Sequence, residues 1–285
     1  MLSSKFPLLV ATDLSPTGKV VLEKAFKLAK RYHKPLFILH VSETTLFAPK
    51  IIELTQIEAN LCKLLEPFYA RYPEVKATLL CRQGGIEESI ISAIKETQAS
   101  LLLIGTSGED NLLREFFLGS HCRKIIRSST IPVLVVKNEE ESDYSKIFIP
   151  TDFSPSSQKM ANLTLHLFPH AYISLFHVIL KPFEQRLGMY GLDKDEILRY
   201  HKDIDNQSAS EADHFIEKLK LPSGKHRIKL LMETGVFSAK LCLQKVKEAQ
   251  SDLIALNTTG NISFFSMDIL NQSPKDVLIF KTDSE

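Results

Sequence analysis

The sequence holds 285 residues, 44% of them hydrophobic and 24% charged, with a formal net charge of +1. That length suits two globular domains of ordinary composition. The near-neutral balance excludes the overall field by which a protein recruits nucleic acid or an anionic membrane. Arg82, Arg114, Arg123, Lys124 and Arg127 stand scattered among apolar residues and form no basic run. Residues 1–6 do not read as a signal peptide. The longest apolar runs, 101–104 and 131–136, are strand-length, far short of the ~20 residues that cross a bilayer. A cytoplasmic protein is expected, with neither nucleic acid nor membrane as a partner. Cys62, Cys81, Cys122 and Cys242 show no CxxC spacing and sit within apolar patterns, so reduced thiols are expected rather than disulfides or metal ligands. Cys122 is the one thiol whose position, next to Gly119 and Ser120, invites a redox role.

In chain order, 7–12 is a continuous apolar strand. Ser15 is a good N-cap and Pro16 a good first residue for a helix whose apolar face is Val20, Leu22, Ala25, Phe26, Leu28 and Ala29. A strand at 35–41 follows, then a long amphipathic helix at 50–72, a strand at 78–81 and a helix at 86–97. A strand at 101–104, a helix at 120–127 and a strand at 132–136 complete the first half. Apolar strands alternating with helices make a parallel sheet covered on both faces. Residues 138–145 (NEEESDYS) are polar and acidic, as a linker should be.

The order then begins again. LLVATDLSP (8–16) returns as FIPTDFSP (148–155), with Thr12-Asp13 against Thr151-Asp152 and Ser15-Pro16 against Ser154-Pro155. FILHV (37–41) returns as SLFHV (174–178), QASLLLIGTSG (98–108) as QSDLIALNTTG (250–260), and VLVVK (133–137) as VLIFK (277–281). Recurring blocks in one order are a duplicated domain. The fold class is therefore α/β: two tandem, doubly wound, parallel five-stranded sheets, at 1–140 and 146–285. Residues 181–192 (KPFEQRLGMYGL) read as a loop before a helix at 193–219.

In an open parallel sheet a ligand sits outside the carboxyl ends of the strands, where the strand order switches. In the first half Asp13 follows the first strand, Val41 ends the second, and Gly105, Gly108, Gly119 and Ser120 lie in the loop after the fourth, with Ser120 opening a helix. Glycines let a backbone approach a phosphate and present N–H groups to it. A helix N-terminus adds oriented amides with a partial positive charge. A carboxylate able to bond adenine or ribose thus faces one crevice with a loop able to hold phosphates.

GTSGEDNLLREFFLGS (105–120) resembles the universal stress protein motif G-x2-G-x9-G-[ST]. The ATDLSP start, His40-Val41, Gly85 and the IPVLVVK strand (131–137) are similar to that family as well, and the resemblance covers the chain twice. It implies an adenine nucleotide alpha hydrolase-like fold, a stress-response role and ATP or AMP as ligand. Carried over residue by residue, it implies contacts from Ala11, Asp13, Val41, Gly105, Gly108, Gly119 and Ser120, with His121 as a backbone contact. Single-domain members dimerise through their last strands, so the fusion implies an intramolecular pseudo-dimer in which 133–136 and 277–280 pair antiparallel. That pairing removes two exposed apolar edges, and the linker's ~26–29 Å reach allows it. A homodimer through another surface stays open.

Two departures bear on the site. Ten residues, 109–118, separate Gly108 from Gly119, one more than the motif has. Glu109 and Asp110 bring negative charge to where a triphosphate would lie, either repelling it or holding Mg2+ on it. In the second half Asn257 replaces the first glycine, Gly260 remains, and Asn271-Gln272 stands for Gly119-Ser120. Roughly eight residues are missing there, which reads as loss of the phosphate-capping helix, with Pro274 opposing any regular helix. Asp152 reads as a local turn cap. One nucleotide per chain is therefore expected.

His166 and His170 are interrupted by Pro169 and read as a helix end rather than a metal pair. His40 and His177, at equivalent places, are either ligand contacts or satisfied structural histidines. The sequence contains no H-E-x-x-H, G-x-S-x-G or P-loop motif, and offers no nucleophile–base pair. The expected function is a nucleotide-sensing protein without substantial catalysis. The alternatives are a nucleotide-independent scaffold, whose second domain takes a protein partner or a small apolar molecule, and a slow ATPase.

Overall fold

The computed structural model describes residues 6–13, 15–42, 54–106, 119–140, 142–221, 227–258 and 263–281. The chain divides into two compact units, one taking residues up to Asp143 together with Leu270–Lys281, the other Tyr144–Ile269.

The first unit runs β1 (Leu8–Ala11), α1 (Pro16–Tyr32), β2 (Leu36–Ser42), α2 (Leu54–Arg71), β3 (Ala77–Gln83), α3 (Ile86–Thr97), β4 (Leu101–Gly105), α4 (Ser120–Ser128) and β5 (Val133–Val136). Its strands lie in the order β3-β2-β1-β4-β5, and each pairing is parallel. Continuous runs such as 101–104 and 133–136 are buried throughout, as strands covered on both faces must be. Helix α1 follows its sequence signals. Ser15 caps it by accepting from the Gly18 N–H, Pro16 opens it, and His33 ends it in the left-handed conformation. Phe26 is fully buried and stacks on Phe68 and Tyr72, each at a centroid distance of 5.5 Å, which locks α1 against α2.

The sheet of this unit gains a sixth strand, β10 (Asp276–Phe280), antiparallel to β5 with Val277 opposite Val135, Leu278 opposite Leu134 and Ile279 opposite Val133. The expected edge pairing is thus present, and the last strand of the second repeat is counted with the first unit. A buried ion pair accompanies it. Lys24 Nζ, on α1, lies 2.5 Å from Asp276 Oδ2, with the side chains 5% and 1% exposed. The same Lys24 donates to Asn138 Oδ1, and Asp276 Oδ1 accepts from the Lys137 N–H.

The second unit runs β6 (Lys146–Pro150), α5 (Pro155–Leu167), β7 (Tyr172–Ile179), α6 (Glu184–Met189), α7 (Lys194–Glu217), β8 (Ile228–Thr234), α8 (Ala239–Glu248) and β9 (Leu253–Asn257). The strand order is β9-β6-β7-β8, all parallel. Local geometry repeats between the units. Gln98 and Gln250, each one residue or two past a helix, both sit at φ 51°.

Two expectations are corrected. The segment 181–192 carries a short helix, α6, rather than a plain loop. More important, the second repeat has not lost the helix before its last strand. Helix α9 (Ser263–Gln272) occupies that place. Asn271 and Gln272 end a helix instead of beginning one, and Pro274 falls after it, where proline is well tolerated. The shortening falls between strand and helix, where residues 258–262 separate β9 from α9 and residues 106–119 separate β4 from α4.

Candidate functional site

Strand β1 lies between β2 and β4. The chain leaves β1 on one side for β2 and β3 and returns on the other for β4, so the strand order switches at its carboxyl end. Ala11 is the last residue of β1. Beyond it the Thr12 N–H donates to the Leu39 carbonyl at 3.0 Å, and the chain turns out of the sheet into α1. Asp13 makes that turn. Its Oδ1 accepts from the Ser15 N–H at 3.1 Å and from the Ser15 hydroxyl at 2.7 Å. Its Oδ2 is buried and has no hydrogen-bond partner among the described residues. A buried acceptor left in that state costs roughly 1–3 kcal/mol, so the turn lacks a donor for this oxygen.

Val41 is placed by the register of β2. The Pro35 and Leu39 carbonyls accept from Leu8 and Thr12, whereas the Leu36 N–H and Ser42 carbonyl bond toward β3, to Lys76 and Gly84. Odd-numbered residues of β2 therefore address β1 and even-numbered ones β3. The Val41 carbonyl is aimed past Thr12, at the gap that β1 leaves on turning into α1. His40 Nδ1 lies 3.0 Å from the Thr12 carbonyl, and His177 Nδ1 lies 2.9 Å from the Thr151 carbonyl. Both histidines tie two strand ends together in the same way.

On the other side of β1, Gly105 closes β4 opposite Val136. The Gly119 N–H donates to the Thr106 carbonyl at 2.8 Å, which brings the start of α4 back to the end of β4. Gly108, Glu109 and Asp110 lie outside the described residues. Gly119 is the N-cap of α4 with no side-chain cap bond, so the first amides of the helix keep the donor capacity that helix geometry leaves unused. Ser120 and His121 are exposed there. The buried Nε of Arg123, in the first turn of α4, has no hydrogen-bond partner among the described residues. The structure thus gathers Ala11, Asp13, Val41, Gly105, Gly119, Ser120 and His121 at one edge of one sheet. It offers a buried carboxylate oxygen and a backbone carbonyl on one flank and helix-end amides on the other. Gly18 was not legible as part of this site from the sequence. Its signal is a glycine in the first turn of a helix where the second repeat has Ser157.

The corresponding place in the second unit is built differently. Asp152 Oδ1 accepts from the Ser154 N–H at 3.1 Å and from the Ser157 hydroxyl at 2.6 Å. Phe153 adopts φ 59°, a left-handed conformation that costs a bulky residue roughly 1–2 kcal/mol. Its ring stacks on His177 at 4.2 Å and packs on Phe215 of α7 at 5.4 Å. Near the end of β9, Ser266 of α9 is fully buried and donates to the Asn257 carbonyl at 2.6 Å, and Phe265 packs on Phe237 at 5.0 Å. Rings and a serine occupy the sheet's edge here.

Burial pushes the Cys122 thiol up to about 12, against the opposing pull of Lys137 and Arg123. A thiol that stays protonated is a poor nucleophile, so burial works against reactivity at Cys122. Burial likewise pushes Cys242 up to about 12 and Cys81 to about 11. Lys137 is held down to about 8 by burial, which outweighs the attraction of Asp276. Its ammonium donates to the Leu270 and Asn271 carbonyls at the end of α9. Among the described residues no cluster of histidine, cysteine and acidic side chains is arranged to hold a metal ion, and no helix is long and apolar enough to cross a membrane.

Comparison with known proteins gives this arrangement a family. The sequence pattern of the universal stress protein family matches residues 6–137. A universal stress protein of Bacillus subtilis, YxiE, is 30% identical over 145 residues, covering 46% of this chain and 97% of that protein. Among solved structures, a functionally unknown protein of Pseudomonas aeruginosa PAO1 superposes with a TM-score of 0.69 at 16% identity, covering 97% of this chain and 92% of the other. A universal stress protein of Archaeoglobus fulgidus superposes with a TM-score of 0.63 at 17% identity, covering 98% and 97%. The chain belongs to the universal stress protein family.

Proposed function

We propose that the chain is a tandem universal stress protein that senses an adenine nucleotide, ATP or AMP, at one site in its first unit and performs no substantial catalysis. The observation that carries this reading is the Asp13 Oδ2 atom, buried and without a partner among the described residues. An exocyclic amine or a ribose hydroxyl would supply the missing donor. The Val41 carbonyl is a second acceptor for the same purine. Gly119 and the opening amides of α4 lie where phosphates would, and anions are favoured at a helix N-terminus. Glu109 and Asp110 would carry Mg2+ on a bound triphosphate. Nucleotide would bias the conformation of the segment between Gly105 and Gly119 through its differential affinity for two states. The tandem reading rests on the matched turns and histidine contacts of the two units, and the single site on the closed edge of the second.

The test is calorimetric titration of the full chain with ATP and with AMP, each with and without Mg2+. The whole chain is needed because β10 and Asp276 belong to the first unit's sheet. One nucleotide per chain is expected, and Gly119→Glu should abolish binding by filling and charging the helix end. Unimpaired binding by Gly119→Glu, or two nucleotides per chain, would refute the assignment.

A further inference from the structure

Gly18 is the third residue of α1, inside a helix turn where glycine is unfavourable relative to alanine. No left-handed backbone angle calls for glycine at this position. The reason is spatial. A β-carbon on Gly18 would lie 2.6 Å from Thr12 Oγ1, 2.7 Å from Asp13 Oδ1 and 3.4 Å from Ser15 Oγ. The first two are closer than real β-carbons come to a neighbour, so any side chain at this position displaces the Asp13 carboxylate or the Thr12 hydroxyl. The second repeat shows the alternative. There Ser157, 2% exposed, stands in the same place, and its hydroxyl donates to Asp152 Oδ1 at 2.6 Å. In the first repeat that oxygen is served instead by Ser15, and the other carboxylate oxygen has no partner among the described residues.

We propose that Gly18 is a positioning residue for the nucleotide site: by leaving no side chain beneath the turn, it holds the Asp13 carboxylate turned toward the crevice, where Ser157 instead draws Asp152 into its own helix. This rests on the nucleotide reading of Asp13. It adds that ligand competence is decided at the third residue of the first helix, independently of the phosphate loop. The serine found in one repeat would then disable the other.

The experiment compares wild type, Gly18→Ser, Gly18→Ala and Ser157→Gly as full chains. ATP affinity is measured by calorimetry and melting temperature by circular dichroism. Gly18→Ser should weaken ATP about 10- to 150-fold, the range lost with a hydrogen bond to a charged group. Gly18→Ala should weaken it less, because the β-carbon displaces the carboxylate without offering it a donor. Its melting temperature should not fall, since alanine suits a helix better than glycine. Loss of affinity without loss of stability separates positioning from general damage. Ser157→Gly should leave ATP affinity unchanged. Crystal structures of wild type and Gly18→Ser without nucleotide give a readout independent of binding. The introduced hydroxyl should lie within hydrogen-bond distance of a displaced Asp13 carboxylate. ATP affinity of Gly18→Ser within about twofold of wild type, or a carboxylate unmoved in that crystal structure, would overturn the proposal. Failure of wild type to bind ATP would instead overturn the nucleotide reading and leave the crystallographic comparison to decide the role of Gly18.

Discussion

Asp13 and Asp152 occupy the same turn, between a parallel strand and a serine-capped, proline-opened helix, and accept the same backbone bond at 3.1 Å from the serine two residues on. They part company at the next bond. Asp152 is drawn to Ser157 and lies beside a Phe153 ring stacked on His177, whereas Asp13 keeps a buried oxygen without a partner among the described residues. The difference teaches that a duplicated fold can keep its turn chemistry and still change what the turn is for. The capping bonds are needed for the strand to pass into the helix and so persist in both copies. The buried Asp13 Oδ2 takes no part in those capping bonds, which fall on Oδ1.

The units also differ in how their sheets are held, and the largest expected effect follows from this. Lys24 and Asp276 are paired and nearly inaccessible, while the residue of α5 corresponding to Lys24 is Leu163. Removing one member of a buried pair strands the other charge, at a cost of about 3–5 kcal/mol. Asp276→Ala should therefore destabilise the first unit by that amount in urea denaturation. The double variant Lys24→Leu, Asp276→Leu should recover part of the loss, since no charge is left stranded. A single-variant cost below about 1 kcal/mol would mean that the pair behaves like a solvent-screened surface bridge, and the asymmetry in sheet anchoring would fall with it.

A smaller effect isolates the two turns. Asp13→Asn should weaken ATP about 10- to 150-fold, the equivalent of a charge-assisted hydrogen bond. Asp152→Asn should leave affinity within about twofold of wild type, because that carboxylate already serves its own turn. Calorimetry on both variants decides the point. A larger loss from Asp152→Asn would move the nucleotide to the second unit and reverse the comparison.

Much of this was legible in the sequence, and for identifiable reasons. The apolar run 101–104, the Ser15-Pro16 helix start and the recurrence of TD-x-SP depend on local chemistry that leaves a local trace. Burial, capping and proline geometry each constrain a few adjacent residues. The antiparallel pairing of 133–136 with 277–280 was implied by the resemblance to a family whose single-domain members pair their last strands, and two apolar edges that demand covering supported it. Helix α9 was not. Aligning the second repeat on Gly119-Ser120 put the deletion in the helix, whereas it falls before it, and SFFSMDILNQ hides its amphipathic pattern because a polar residue, Ser266, stands on the buried face with Ile269 and Leu270. The Lys24–Asp276 pair joins residues far apart in the chain, and no local pattern announces it. Gly18 matters only through the space around it, which a one-dimensional reading does not show.

The smallest effect is in the pH dependence, and it too divides the repeats. Lys137 is held down to about 8 by burial, while its counterpart in the repeat, Lys281, is exposed. Between about pH 8 and the ordinary lysine range near 10.5 the unfolded chain binds this proton and the folded chain does not, so stability rises with pH through that window. The buried thiols act in the opposite sense. Cys122 and Cys242 are raised to about 12 from an ordinary value near 9, so above pH 9 the unfolded state releases protons that the folded state retains, and stability falls. Cys81, raised to about 11, adds to the fall. Burial lowers Lys34 in the same direction as Lys137, and the three raised thiols outnumber the two lysines, so the influences sum to a shallow rise from pH 8 to 9 followed by a decline. Lys137→Met flattens the rise and leaves the decline. Melting temperatures of wild type and Lys137→Met at half-unit steps from pH 7 to 10.5 resolve the two curves. Superimposable slopes between pH 8 and 9 would show that Lys137 remains charged in the folded protein throughout, and that its contacts with the Leu270 and Asn271 carbonyls outweigh the burial of its ammonium.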